Sequence, residues 1–374
     1  MLVVGGGPAG SATAHALARA GASVLLADKA TFPRDKPCGG GLTARAFRRC
    51  PVDPTPVVEE EVDIVELRFR FGDRVVRSAR SPVIYMTQRR RLDAFLLDAA
   101  RAQGVEVREG ADVSVGDEVR VDGAPVAVDV VVGADGANGT TARPLGLGAG
   151  IVHGVALEGN VPYARIDRDR YRRRAVVELA DIPGGYGWVF PKGDHVNVGV
   201  GAWNQEGPRL REHLERTCVA HGLHLSELEH LRGHRLPLRP PGTTIASDRA
   251  LLVGDAAGLI DPVSGDGMYE CFVSASLAAE AIGDLLAGRA TSLAPYGTAV
   301  DDALGPLHRA SWKLKQALDR WPRLSWRIAR TELLWRSIEP VLLGELTAPG
   351  EARGAARVPL RMLSGLSRLG ARAN

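Results

Sequence analysis

The run GGGPAG at Gly5–Gly10 follows directly on the apolar stretch Leu2–Val4 and constrains the chain more than any other feature. Gly5, Gly7 and Gly10 fit a Gly-x-Gly-x-x-Gly fingerprint. An alanine-rich helical pattern covers Ala9–Ala20, and a second apolar run, Ser23–Ala27, ends at Asp28. Strand, glycines, helix, strand and terminal acid within one short unit predict a bound dinucleotide. The first glycine permits a tight turn, the second lets backbone approach a pyrophosphate, and the third lets helix and strand pack closely. The phosphates then sit on the free N–H groups at the helix start, and Asp28 accepts hydrogen bonds from ribose hydroxyls. Only Met1–Val4 precede the first glycine, so the first strand reads as either clipped or short.

At 374 residues the chain can bury sizeable cores in more than one substructure. Its 45% hydrophobic and 24% charged residues fit a soluble globular protein. A net charge of +3 gives no reason to expect nucleic acid. The basic charge is almost all arginine, with lysine only at Lys29, Lys36, Lys192, Lys313 and Lys315. The cysteines Cys38, Cys50, Cys218 and Cys271 are too far apart for metal pairing or a disulfide framework, which predicts a reducing cytoplasm. No apolar run approaches the roughly 18 residues of a spanning helix. With a strand beginning at once, no signal peptide is expected.

After Asp28 the stretch Thr31–Gly41 reads as a loop, with a helix from about Leu42. Alternation in Val62–Phe71 and Val75–Ala79 around Gly72-Asp73 predicts a hairpin. Leu92–Ala102 carries a helical face of Leu92, Phe95, Leu96 and Ala99. Short strands are expected at Val105–Val107, Val113–Val115 and Val119–Val121, and Val126–Val132 runs into GADGANG at Gly133–Gly139. Alternating strands follow at Val152–Val161, Ala175–Leu179, Tyr186–Phe190 and Val196–Val200, then a helix over Pro208–His221. Ala250–Val253 enters GDAAG at Gly254–Gly258, and PVSGDGM at Pro262–Met268 opens a long helix to Leu286. From Asp301 the chain reads as helical, rich in Arg, Leu and Trp.

In order and spacing, GGGPAG, GADGANG and GDAAG with PVSGDGM resemble the FAD-binding segments of the p-hydroxybenzoate hydroxylase-like flavoproteins. Arg89, three residues before the expected helix start, matches an arginine of many members. The likeness covers roughly residues 1–290. It implies an α/β fold: a Rossmann-like FAD-binding domain with a mainly parallel sheet, an inserted antiparallel-sheet substrate domain, and a C-terminal helical segment. On this reading residues 1–60, 86–140 and 245–300 build the FAD domain, 61–85 and 141–244 the substrate domain, and 301–374 the helical region. FAD contacts are implied at Gly5, Gly7, Ala9, Gly10, Asp28 and Lys29, at Arg89, and at Asp255, Gly265, Gly267 and Met268. Asp255 ends a strand where a carboxylate can reach ribitol hydroxyls. The helix start at Met268 would bring its positive end to the flavin pyrimidine and stabilise the anionic reduced ring. Asp255 and Asp135 also read as cap or turn residues.

Two further stretches, PCGGGL at Pro37–Leu42 and PGGYGWVFP at Pro183–Pro191, resemble signatures of the geranylgeranyl reductase family, which saturates prenyl double bonds. Tyr186, Trp188 and Phe190 alternate, so on a strand they share one face, a wall suited to a long hydrocarbon in a chain only 5% aromatic. An ordinary core face is the plainer reading. The family likeness implies chemistry at Cys38, Tyr186 and Trp188 and substrate contact at Gly39, Gly40 and Phe190. Cys38 is either a contact or proton donor over the flavin, or a small packing thiol. No carboxylate stands out as the acid. The electrons would come from transient NAD(P)H or from a ferredoxin.

The alternative on the same scaffold is an FAD-dependent monooxygenase, a hydroxylase or epoxidase of a hydrophobic small molecule. A flavin-dependent halogenase relies on a lysine between the nucleotide fingerprint region and the aromatic strand, and none lies between Lys36 and Lys192. A non-catalytic flavin-binding or membrane-associated partner protein is a further alternative. Trp312, Trp321, Trp326 and Trp335, interleaved with Arg309, Arg320, Arg323, Arg327, Arg330 and Arg336, suit either a helix packed on the main body or peripheral membrane contact. The cluster Arg168, Arg170 and Arg172–Arg174 is either a solvated edge or a pyrophosphate holder. His153, His195 and His234 lack metal-site spacing. GLGAG at Gly146–Gly150 has no preceding strand and reads as a loop.

Overall fold

Leu2–Val4 forms the middle strand of a five-stranded sheet ordered Ala250–Leu252, Val131–Gly133, Leu2–Val4, Leu25–Asp28, Glu106–Glu109. Every pairing is parallel, with Leu2 opposite both Leu25 and Val131. A parallel sheet is covered on both faces, so its strands are apolar throughout, and Leu2, Val3 and Leu26 have no exposed surface. Each such side chain contributes about 1.5–3 kcal/mol of burial. The computed structural model describes residues 1–346 together with 351, 358 and 362.

The helix Pro8–Arg19 packs on both Met268–Leu286 and Arg89–Ala102. Small residues allow the close approach: Ala12 and Ala275 are buried in one cluster with Leu92 and Leu96.

A seven-stranded sheet is ordered Glu229–Leu238, Val152–Pro162, His195–Trp203, Tyr186–Pro191, Arg174–Leu179, Ile64–Phe69, Asp73–Ser78. It is antiparallel except where Arg174–Leu179 runs parallel to Ile64–Phe69. Val189, Val198 and Val200 fill one face with Leu214 of the helix Leu210–Ala220. Ile84–Met86 pairs between Gly41–Thr43 and Glu60–Val62 in a small antiparallel sheet.

Several local expectations shift. A strand, Gly41–Thr43, precedes the helix Ala44–Arg49 that was expected from Leu42, because Leu42 pairs with Tyr85 and Thr43 caps the helix at Ala46 N. The helix expected from Leu92 starts at Arg89. Pro208, without an N–H, sits in a 3-10 turn, Asn204–Arg209, and the α-helix begins at Leu210. Of Val126–Val132 only Val131–Gly133 joins the sheet.

The helices Pro295–Arg320, Pro322–Ala329 and Glu332–Leu342 follow; the rest of the helical region expected to 374 lies outside the described residues. Trp312 stacks on Trp203 at 5.9 Å and buried Trp326 on Phe69 at 5.4 Å, so these two rings take the packed arrangement. Trp321 is exposed. Among the described residues no helix is long and apolar enough to cross a membrane.

Candidate active site

A cavity of about 1030 Å³ opens between the two large sheets and the C-terminal helices. Every site residue expected from the sequence lines it except Gly10. Gly10 serves packing instead. A Cβ there would stand 1.9 Å from the Gly5 carbonyl oxygen, so only glycine lets the helix start against the first turn. Gly5 itself takes φ +108°, which glycine alone adopts without strain.

At one end the geometry fits a dinucleotide. The helix Pro8–Arg19 begins at Gly7 with no side-chain cap and no acid in its first turn, leaving its N-terminal N–H groups for phosphate. Asp28 braces this turn, its Oδ2 accepting Gly6 N–H at 2.6 Å and its Oδ1 Ala30 N–H at 2.8 Å. Lys29 lies beside it on the cavity wall. Arg89 is buried and grips Asp93 through two bonds of 2.7 Å. Burial alone would lower its pKa, but Asp93 overrides this and drives it up. Asp255 meets Lys36 Nζ at 2.9 Å. Burial pushes its carboxyl up, yet Lys36, with His234 adding, holds it well below the usual carboxylate range. Asp135 is turned inward on its own loop, its Oδ2 taking Thr140 N–H, Thr141 N–H and the Thr141 hydroxyl. These bonds match the turn reading of that residue.

The loop Gly265–Gly267 leads into the helix Met268–Leu286, which also lacks a side-chain cap at Gly267. The positive end expected there is not bare. Asp266 Oδ1 accepts the Met268 N–H at 3.0 Å, so the chain lays an acid of its own on that terminus.

The aromatic strand faces the same space. Tyr186 and Trp188 lie 5.9 Å apart and Trp188 and Phe190 6.3 Å apart, centroid to centroid. Trp188 is fixed by Nε1 donating to Asn197 Oδ1 at 2.7 Å, and Asn197 by donating to Asn160 Oδ1 at 3.0 Å. The Tyr186 hydroxyl donates to the Ser264 carbonyl oxygen. Across the next two strands Val177, Leu179, Val65, Leu67 and Phe69 continue this wall, and Leu314, Leu318, Trp326, Leu334 and Ile338 close over it from the C-terminal helices. One face of the sheet thus forms an apolar slot leading away from the glycine turns.

The glycine loop Gly39–Gly41 lies on the aromatic strand: a Cβ on Gly39 would come within 3.0 Å of the Phe190 ring, and one on Gly40 within 2.2 Å of Thr87 O. Two residues that sequence reasoning missed pin this loop. Glu158 Oε1 accepts Cys38 N–H at 2.6 Å while Lys192 Nζ donates to Cys38 O at 3.1 Å, clamping the residue through both its backbone groups. Burial pushes the Glu158 carboxyl up, against the pull of Lys192. The missed residues Lys36, Glu158, Lys192, Asn197 and His234 share one signal, a polar side chain within or beside an apolar strand or glycine turn. Their partners are remote in sequence, so the signal named no role.

The arginine cluster stays outside. Arg174 pairs with Glu66 at 2.6 Å, Arg173 with Asp63, and Arg168 lies over Tyr163, and none lines the cavity.

Comparison with known proteins agrees with this geometry. A model of the FAD binding domain matches residues 1–294. The geranylgeranyl diphosphate reductase of Synechocystis is 31% identical over 313 residues, 75% of this chain and 74% of the relative. The menaquinone reductase of Mycobacterium tuberculosis is 31% identical over 308 residues, 75% of each chain. A crystal structure of a geranylgeranyl bacteriochlorophyll reductase-like protein from Thermoplasma acidophilum superposes with a TM-score of 0.77 at 22% identity, covering 98% of both chains. The α/β architecture of parallel sheet, further sheets and C-terminal helices is therefore that of the FAD-binding flavoproteins. The chain is an FAD-dependent oxidoreductase and belongs to the geranylgeranyl reductase family.

Proposed function

We propose that this oxidoreductase saturates carbon–carbon double bonds of a prenyl substrate. The supporting observation is the continuity of one cavity from the glycine turns, past Trp188, into the apolar slot under the C-terminal helices. Bound and reduced, FAD supplies a hydride equivalent, renewed by a nicotinamide or a ferredoxin. The residues of the chain do the rest. Phe190, Gly39 and Gly40 hold the chain segment flat against the aromatic strand. Trp188, locked by Asn197, presents its face to the alkene, and a cation developing at a tertiary carbon gains about 0.5–2 kcal/mol there. Tyr186, anchored on Ser264 O, completes that face, and Cys38 closes it from the loop. At the flavin end Asp28, Lys29, Arg89 and Asp255 fix the cofactor, and the small residues Gly5, Gly7, Ala9, Gly265 and Gly267, with Met268, let backbone approach it. Trp321 and Leu324 are exposed on the segment whose Pro322, Ser325 and Trp326 line the slot, and with Arg320, Arg323 and Arg327 near them in sequence they offer a surface suited to collecting a lipid chain from a bilayer.

The deciding experiment is anaerobic incubation of the reduced holoenzyme with geranylgeranyl diphosphate and, separately, a prenylated quinone, read by mass spectrometry. A gain of two hydrogens per double bond is expected. In air, product carrying added oxygen would establish the monooxygenase instead.

A further inference from the structure

Away from the glycine turns, the apolar slot has one open end and one closed end. Alternate residues of Ile64–Phe69, namely Val65, Leu67 and Phe69, face it. In register, Leu67 lies opposite Val177 and Val177 opposite Trp188, while Phe69 lies opposite Leu179 and Leu179 opposite Tyr186. Two strand spacings, about 10 Å, separate the aromatic face from this strand, and Phe69 stands about 13 Å from Val65 along it.

At the Phe69 end the lining residues Arg70, Pro183 and Asp319 are exposed. Lys315, whose Nζ donates to Gly184 O at 2.9 Å, adds a further charge to that rim. Exposed lining and charge mark a mouth. At the Val65 end the lining residues are Thr43, Ile84, Leu334, Ile338 and Leu342, and none of these is exposed. Behind Val65, Ile84 and Leu342 the residues Ala44, Val83 and Leu343 are buried in one cluster, and Val62 and Met86 are buried beside Ile84. The sheet edge is shut as well. Among the described residues, none of the edge strand Asp73–Ser78 lines the cavity. Arg77 donates to Arg330 O at 2.5 Å, Arg80 N–H donates to Glu339 Oε1 at 3.0 Å, and the Arg80 guanidinium pairs with Glu345. These bonds tie the edge strand and its turn to the C-terminal helices. A close-packed interior behind such a floor has no room for further methylenes.

We propose that Ile84 and Leu342 set the chain-length limit of the substrate, a limit that rests on the prenyl reading of the slot. The hydrocarbon enters tail first past Arg70 and Asp319, its free end stops at these two side chains, and its polar head stays at the mouth. A chain that fits gains buried apolar area with every added unit. One that is too long must fold back or leave its head end outside, which draws the reacting bond away from Trp188.

The test uses the FAD-loaded protein and two separate readouts. Calorimetric titration with geranyl, farnesyl, geranylgeranyl and solanesyl diphosphates should show affinity rising at least about tenfold per added unit up to a limiting chain, then falling. Affinity that stays level or keeps rising through solanesyl diphosphate overturns the limit. Leu342→Trp should weaken the limiting chain about tenfold and leave the next shorter chain within about threefold. Ile84→Ala and Leu342→Ala should each tighten the first excluded chain about tenfold. An equal change for every chain overturns the assignment of that residue, because a general packing defect has no length dependence. Should Leu342→Trp fail to hold FAD, wild type and the two alanine variants decide. Anaerobic reoxidation of the reduced holoprotein by the same chains is followed separately. A length limit in binding without reoxidation removes the reductase reading and leaves the floor standing, whereas reoxidation without a length limit does the reverse. Failure of every chain to bind overturns both.

Discussion

Trp188 owes its position to a residue with no side chain. A Cβ on Gly199, the cross-strand neighbour, would stand 2.1 Å from Trp188 Cζ2, so the indole can lie flat only because Gly199 is bare. Gly199→Ala should therefore displace the ring at about 1–3 kcal/mol in urea denaturation. FAD uptake should survive while alkene reduction is lost; unchanged reduction would show that the indole's position is immaterial. At the opposite pole, removing the half-buried Asp255 carboxylate should weaken FAD by about 1.5–3 kcal/mol in fluorescence titration of the apoprotein with Asp255→Ala. Because Lys36 depresses its pKa, Asp255 contributes stability above 3.8 that is lost only as pH falls through its lower folded value. An acid-side loss of FAD near pH 5 would therefore have another origin. The glycine turns and the strand end before Asp255 were legible because turn geometry and strand ends restrict residue type. Glu158 and Asn197 were not, since a polar residue in a strand carries no record of the loop or indole it will meet.

Elements long enough to repeat their period were legible in the sequence. The fingerprint unit, the long helix from Met268 and the alternating strand Tyr186–Pro191 each show several turns or alternations. Gly41–Thr43 has three residues, too few to display a period, and its strand character comes from pairing with Ile84–Met86. The tryptophan-rich helices were ambiguous for another reason: the same Arg–Trp mixture serves a packed face or an interfacial one. Their structure divides the labour. Trp312 and Trp326 pack inward, while Trp321 and Leu324 at the start of Pro322–Ala329 remain 38% and 39% exposed. Replacing those two by serine should reduce sedimentation with anionic lipid vesicles and leave turnover of a detergent-solubilised substrate unchanged. Equal pelleting would remove the bilayer role.

Across the whole molecule, the cofactor end and the apolar slot have separate walls, the former from the five-stranded sheet and its loops, the latter from the seven-stranded sheet and the C-terminal helices. The five-stranded sheet takes its strands from Leu2–Val4, Leu25–Asp28, Glu106–Glu109, Val131–Gly133 and Ala250–Leu252. Its last strand is thus synthesised long after the first four, and the helix that covers the fingerprint only after that. During translation the glycine turns emerge early and can pack on Arg89–Ala102, but their cover is completed only when Met268–Leu286 leaves the ribosome. A chain ending before that helix should therefore fail to retain FAD in a titration, because one side of the fingerprint helix is left without its partner.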